Sequence, residues 1–477
     1  MESLSLKDEL RIMIVGDSMT HASEGDFTWR YRLWEWFKNA APKTRVTFVG
    51  PYKGTVPAEE PHPPEPPKFP DDPDPPERDI FAGGYAKDIS PDFPTWHFSQ
   101  SGRQIAQAKD IISNAVREHQ PDMLLVMLGF NDMAWCVSGP EDTFKSVVQF
   151  VTNVKTAKPN IHLCLGNVPQ RSPMDFHKEL VWWTSRYNSF LHHAIPEWST
   201  KTMRIEPVEI ERSYGYVPDQ CKGTFDDVHP NELGEFQIAR AFSQTLHQAF
   251  GIGNAPLAIP EHIPRRPLPV PQNVQAHGVP YGIQLSFDKV YGSRGYDIRQ
   301  RNKGQEEWSE FPAATNQVDN MFTSAGQKWE YQVRCRAGDR PSEKGSWSKI
   351  VSGTAQRSTA PPPSNGKVYS TPDGFEVTWD PIDEAKWQVD RYAVLWLDKK
   401  GGFLCAQGAR GTTARVHGCE AGHRYDTWLQ TWTALGPSVM ESTGIVVVGS
   451  GVFSKPASEK KEDGRETQVD IKEVNSP

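Results

Sequence analysis

The chain predicts an α/β fold, a parallel sheet wrapped by helices on both faces, followed by two small all-β sandwiches. Three observations carry this expectation. From residue 11 to about residue 250, short apolar runs alternate with longer amphipathic stretches, and strand alternating with helix builds a parallel sheet covered on both sides. A proline-rich stretch, 256–271, then breaks the pattern. Beyond it, short β-rich runs separated by Gly and Asn turns take over, and their plan occurs twice.

In the first part the candidate strands are 11–15, 46–49, 123–128, 161–165 and 203–207, each of strand length and bounded by polar residues or turn formers. Residues 29–38, 104–118, 141–155, 178–194 and 231–250 repeat apolar positions at helical spacing, so each owns one face for the sheet. Pro230 and Asn231 open the last of these, Pro standing where its missing N–H costs little. Trp182 and Trp183 are read as part of a helix face packed on the sheet. One insertion, 51–76, crowds proline with acidic residues, which excludes helix and inner strand. Its reading is a solvated polyproline-like loop, with a rim or lid over the active site as the sharper alternative.

In the second part, Gly282-Ile283-Gln284-Leu285-Ser286-Phe287-Asp288 aligns with Gly374-Phe375-Glu376-Val377-Thr378-Trp379-Asp380, and Gly326-Gln327-Lys328-Trp329 with Gly422-His423-Arg424-Tyr425. At these points both segments resemble fibronectin type III modules, whose second strand carries an inward Trp and whose later corner carries a Gly-x-x-Tyr signal. The second copy has Trp379 and Tyr425 in place. The first has Phe287 and Trp329, which keep the aromatic bulk a sandwich core needs. The resulting division is 8–250 for the α/β domain, 251–271 for a linker, 272–355 and 366–449 for the two sandwiches, 356–365 for the link between them, and 450–477 for a disordered tail too polar to fold alone.

Composition narrows the function classes. A chain of 477 residues is too long for one core, and 37% hydrophobic with 23% charged residues is the mixture of a soluble globular protein. A formal charge of −8 without clustered Lys and Arg argues against nucleic acid or an anionic membrane as partner. Neither a secretory leader's apolar core nor a bilayer-length apolar run is visible. This points to a cytoplasmic protein or one exported without a leader. Six scattered cysteines form neither a disulfide scaffold nor a metal pair.

Chemistry concentrates in the α/β part, where Gly16-Asp17-Ser18 and Gly129-Phe130-Asn131-Asp132 each follow an apolar run and Asp226-Asp227-Val228-His229-Pro230 precedes the last helix. Open α/β sheets place their chemistry at such strand ends. A serine hydroxyl needs a base, and His229 can serve Ser18, with Asp226 three residues earlier orienting the ring. Acyl transfer also needs donors for a developing oxyanion. The backbone N–H of Ser18, that of Gly102 before a helix, and the Asn131 amide are the candidates, Gly102 because a residue without Cβ lets substrate approach the main chain. Asp17 is read as a buried, loop-organising carboxylate.

Taken in order, Gly16-Asp17-Ser18, Gly102, Gly129-Phe130-Asn131-Asp132 and Asp226-x-x-His229 resemble the blocks of the SGNH (GDSL-like) hydrolase family, on its carbohydrate-esterase-like side, over about residues 8–250. The resemblance implies a three-layer α/β/α, flavodoxin-like sandwich and ester hydrolysis through an acyl-serine, with no metal or organic cofactor. It assigns the nucleophile to Ser18, the oxyanion donors to Ser18, Gly102 and Asn131, and acid and base to Asp226 and His229. Met19 stands where the motif has leucine, a change of apolar shape that spares the chemistry. Asp227 stands where glycine is common and adds negative charge near His229.

His97, His192 and His193 lack partners at metal-ligand spacing and are read as surface or core residues. Trp96 and Trp135 fall near the active-site loops and are candidates for an aromatic wall against substrate. The expected function is hydrolysis of a short-chain ester, acetyl first, on a carbohydrate or polyol. A lysophospholipase or thioesterase using the same triad is the alternative within enzymes. A binding protein whose sandwiches contact a glycan or protein is the alternative outside them.

Overall fold

The structure is a computed structural model and describes residues 9–450, apart from 43, 77, 172, 173, 175 and 216–221. The α/β part runs β1 (Glu9–Gly16), α1 (Ser18–His21), α2 (Trp29–Ala40), β2 (Arg45–Val49), β3 (Phe98–Ser99), α3 (Ile105–His119), β4 (Met123–Met127), α4 (Phe130–Ala134), α5 (Pro140–Ala157), β5 (His162–Gly166), α6 (Leu180–Trp198), β6 (Ile205–Val208), α7 (Ile210–Tyr214) and α8 (Glu232–Phe250). The sheet is parallel in the order β2-β1-β4-β5-β6, with the two residues of β3 continuing the β2 side of β1. Right-handed crossovers put α2 on one face and α3, α5 and α6 on the other, because the chain reverses direction between β2 and β4. After β6, α8 returns to pack beside α2, with the Trp29 and Phe242 rings stacked at 4.7 Å. The parallel, doubly covered sheet read from the sequence is what forms, in the flavodoxin-like strand order.

Local signals set the ends of these helices. Thr28 accepts the Tyr31 N–H to start α2, and Asn131 lies in α4 behind Gly129, whose φ of 114° would strain any other residue. Asn231 accepts the N–H groups of Leu233 and Gly234 to start α8, which stops at left-handed Gly251. Two readings of the helices need correction. The 178–194 helix is α6, running on to Trp198, and Trp182 does not face the sheet but is 57% exposed. Trp183, one residue on, is the ring that packs against the core. No described helix is long and apolar enough to cross a membrane.

The C-terminal half holds two antiparallel sandwiches. The first comprises β7 (Gln275–Val279), β8 (Gly282–Ser286), β9 (Tyr296–Asn302), β10 (Ser309–Ala313), β11 (Gln317–Asn320), β12 (Lys328–Cys335) and β13 (Val351–Thr354), arranged as β10-β9-β12-β13 facing β11-β8-β7. The second comprises β14 (Ser364–Thr371), β15 (Gly374–Asp380), α9 (Glu384–Trp387), β16 (Arg391–Asp398), β17 (Cys405–Ala409), β18 (Thr413–His417), β19 (Arg424–Thr433), β20 (Gly436–Pro437) and β21 (Glu441–Val447), arranged as β14-β15-β18 facing β17-β16-β19, with β20 and β21 also on β19. The aligned aromatics do matching work. Trp379 meets Tyr392 edge-on at 5.6 Å, and Phe287 meets Tyr296 edge-on at 4.7 Å. The Tyr425 hydroxyl accepts the Glu420 N–H, closing the corner that the Gly-x-x-Tyr spacing announces.

The insertion at 51–76 contains neither helix nor strand, but its middle is not left to solvent. Pro67 C=O accepts from Arg391, Lys68 C=O accepts the Gly408 N–H at 2.6 Å on the edge strand β17, and Asp71 pairs with Arg410. The guanidiniums of Arg391 and Arg410 lie 4.2 and 3.8 Å from the Phe69 ring centre. A proline-rich segment has few N–H groups to pair its own carbonyls, and an edge strand has N–H groups without acceptors, so Lys68 C=O and the Gly408 N–H each meet the other's need. Phe69→Ala should therefore free this segment. With two cation–π contacts worth about 0.5–1 kcal/mol each, limited proteolysis should cut within 57–76 faster while the thermal midpoint changes little.

Candidate functional site

The site forms at the C-terminal edge of the sheet, where Gly16 of β1 is in register with Ser99 of β3 and Met127 of β4. Beyond these three strand ends come Ser18, Gly102 and Asn131. This edge is also where strand order reverses, the position at which open α/β sheets have a crevice. His229 reaches it from the loop before α8.

Gly16 has no room for a side chain, since a Cβ there would overlap Thr20. Asp17 caps α1, its Oδ1 accepting the Met19 N–H at 3.0 Å, and this turn presents Ser18. Ser18 Oγ lies 2.9 Å from His229 Nε2, and His229 Nδ1 lies 2.6 Å from Asp226 Oδ2. Asp226 Oδ1 accepts the main-chain N–H groups of Val228 and His229 at 3.1 and 2.8 Å, so one carboxylate organises both the ring and its loop. Burial works to raise the Asp226 carboxyl, but its hydrogen bonds, first among them that from the His229 ring, hold it below the usual carboxylate value. Asp227 takes φ of 69°, the left-handed region that glycine enters freely. The Phe225 ring stacks on His229 at 5.7 Å.

Across the crevice, Gly102 has φ of 79°, and a Cβ there would come within 2.9 Å of the Trp135 ring. Trp135 ends α4 and is 56% exposed, so it borders the crevice beside Gly102. Buried Asn131 donates through Nδ2 to Arg103 C=O at 3.1 Å, tying α4 to the Gly102 loop. The other candidate tryptophan, Trp96, lies upstream of β3, back from this edge, with the Lys53 ammonium 4.0 Å over its ring. The structure thus brings Ser18, His229, Asp226, Gly102, Asn131 and Trp135 to one edge.

Sequence reasoning gave no task to several residues that support this edge. Buried Asp132 accepts the Ile105 and Ala106 N–H groups at 2.8 and 3.0 Å, capping α3 and fixing the loop that carries Gly102. Its place directly after Asn131 was the available signal. His21 Nδ1 accepts the Ser101 N–H at 3.2 Å, and burial together with Arg30 pushes this imidazole down to about 3, keeping it the neutral acceptor. His97, fully buried, meets the Ser99 hydroxyl at 2.8 Å through Nδ1. Tyr187 donates to Leu128 C=O and fills the space beside Gly129. His192 and His193 are exposed on α6. Among the described residues no group of three or more His, Cys, Asp or Glu is placed to hold a metal ion.

Such an arrangement can move a proton from a serine hydroxyl to an imidazole whose far nitrogen is held by a carboxylate, beside main-chain and amide donors. Residues 12–242 match the model of the family described as GDSL-like Lipase/Acylhydrolase. No curated protein matches the chain in sequence. Among solved structures, an acetyl esterase mutant with acetate ion is 19% identical, covering 51% of this chain and 98% of its own, with a TM-score of 0.37. A family 3 carbohydrate esterase from Talaromyces cellulolyticus is 20% identical over 51% of this chain and 98% of its own, with a TM-score of 0.36. For the sandwiches, a two-domain fibronectin type III segment from chicken tenascin is 16% identical over 38% of this chain and all of its own, with a TM-score of 0.17.

Asp17, buried beside the serine with Oδ2 unpartnered, has a carboxyl that burial raises to about 7, partly offset by the Met19 N–H and by His229. A carboxyl raised in the fold stabilises it below the unfolded value of 3.8 and loses that contribution as pH rises through about 7. Asp17→Asn keeps the Oδ1 acceptor and cannot ionise. Its thermal stability relative to wild type should therefore be greater at pH 8 than at pH 4, by up to about 4 kcal/mol; an unchanged difference between the two pH values would refute the buried, titrating carboxyl.

Proposed function

The α/β part of this chain is a GDSL-like lipase/acylhydrolase domain, a serine hydrolase acting on esters, and from that premise we propose that it removes a short acyl group, acetyl first, from a carbohydrate or other polyol. The observation that carries the mechanism is the continuous relay from Ser18 Oγ through His229 to Asp226, at 2.9 and 2.6 Å. Ser18 attacks the ester carbonyl while His229 Nε2 takes its proton. Asp226 holds the Nδ1–H and stabilises the imidazolium. The developing oxyanion is met by the N–H groups of Ser18 and Gly102 and by the Asn131 amide hydrogen not spent on Arg103. His229 then protonates the leaving alcohol, and water, deprotonated by the same ring, releases the acid from Ser18.

The short-acyl reading is supported by what borders the serine. Ser101, Gly102 and Asn131 offer small or polar groups, and Trp135 offers one flat ring of the kind on which a sugar face packs. The lysophospholipase or thioesterase reading draws on exposed Val137 and Phe176 in the loops beyond β4 and β5. Acyl length separates the two. Rates on p-nitrophenyl esters should fall steeply beyond short chains, whereas the alternative requires them to rise.

Ser18→Ala should abolish turnover, and its survival would overturn the mechanism. Asn131→Ala should lower kcat by about 100- to 1,000-fold with KM little changed, as expected of a donor used mainly in the transition state.

A further inference from the structure

Two loops must hold Ser18 and His229 together, and both are gripped by one side chain of the first sandwich. Arg294 lies in the turn before β9 and is buried. Its Nη2 donates to Asp26 Oδ1 at 2.7 Å, while Asp26 Oδ2 accepts the Ser23 N–H at 2.8 Å in the loop that follows the serine turn. The preceding residue, Ala22, donates its N–H to Ser18 C=O at 2.9 Å. On its other side the Arg294 Cζ lies 3.5 Å from the centre of the Phe225 ring, and Phe225 stacks on His229 and donates its N–H to His229 C=O at 3.0 Å. Nε and Nη1 of Arg294 make no hydrogen bond among the described residues, which leaves the aromatic face as their partner.

The same sandwich takes hold of the acid–histidine loop twice more. Asp339 donates its N–H to Phe225 C=O at 3.1 Å, and Arg340 donates to Thr224 C=O at 2.9 Å. Among the described residues, the charges around Arg294 are Asp26 from the loop after α1, Arg266 from the linker, Glu232 and Glu235 from α8, Asp226 from the acid–histidine loop, and Glu343 from the sandwich itself.

We infer that Arg294 is a positioning residue for ester hydrolysis, fixing the approach of His229 to Ser18 through Phe225 and Asp26, so that the first sandwich completes the active site of the α/β domain. This rests on the esterase reading above. Arg294 touches no reacting atom. It acts by holding the two loops at the separation that proton transfer needs, and a mislocation of about 1 Å in such a geometry can cost about 100-fold in rate.

The test uses the full chain with p-nitrophenyl acetate, together with amide hydrogen exchange over residues 224–231. Arg294→Ala should lower kcat by about 10- to 100-fold, leave KM within about twofold, and speed exchange of the Val228 and His229 amides. Arg294→Lys, which returns a cation to the Phe225 face without the fork to Asp26, should recover part of the loss. Arg340→Ala, at the half-exposed rim of the contact, should give a smaller change in the same two readouts and carries the test if Arg294→Ala does not fold. Unchanged kcat and unchanged exchange in the variants would overturn the inference. If wild type hydrolyses no ester the esterase reading falls instead, and the exchange measurement alone still decides whether the sandwich holds this loop.

Discussion

A 2.9 Å hydrogen bond between Ser18 and His229, residues 211 positions apart in the chain, is the contact for which the rest of the architecture is arranged. Neither residue belongs to the sheet, yet both are placed from it. The serine turn is fixed to β1 by a glycine that must stay bare and by the Asp17 cap. The histidine loop is held from within by Asp226, which binds two main-chain N–H groups besides the ring. From behind, Phe225 and the first sandwich support it. Loops are ordinarily the mobile part of a fold, and this pair is restrained from several directions at once.

Three buried or half-buried aspartates around this contact show how environment divides one residue type among different tasks. Asp226 is surrounded by donors and is held in its anionic form. Asp132 is driven upward by burial but spends its oxygens on the first amides of α3, where a helix N-terminus favours negative charge. Asp17 has one oxygen capped and one bare, and burial dominates. Only the first hydrogen-bonds the imidazole; the other two shape the turns on either side of the crevice.

Much of this was legible in the sequence because the informative signals are local. Apolar runs ending in Gly16-Asp17-Ser18 and Gly129-Phe130-Asn131-Asp132 mark strand ends, and the spacing Asp226-x-x-His229 lets an acid reach its histidine without help from another element. The Trp379 and Tyr425 positions likewise announce a sandwich by their offsets from glycine. What stayed hidden depends on distant partners. Two-residue β3 exists only because Gly16 and Val15 lie alongside it. Trp182 repeats at the right spacing for a packed face, but Trp183 beside it takes the core position. The binding of Pro67 to Arg391 of β16 and of Lys68 to β17 pairs segments more than three hundred residues apart, and no periodicity records such a match.

That last contact closes a circuit. The chain leaves the α/β domain through the 251–271 linker, passes through both sandwiches, and meets the α/β domain again where the proline-rich segment lies on the second sandwich. Tension applied between the α/β domain and the second sandwich is therefore shared between the Phe69 clasp and the route through the first sandwich, which is itself bonded to the serine and histidine loops. Because the clasp's contacts all fall within residues 67–72, the two carbonyl hydrogen bonds, the Asp71–Arg410 pair and the Phe69 ring contacts bear their share of that load together.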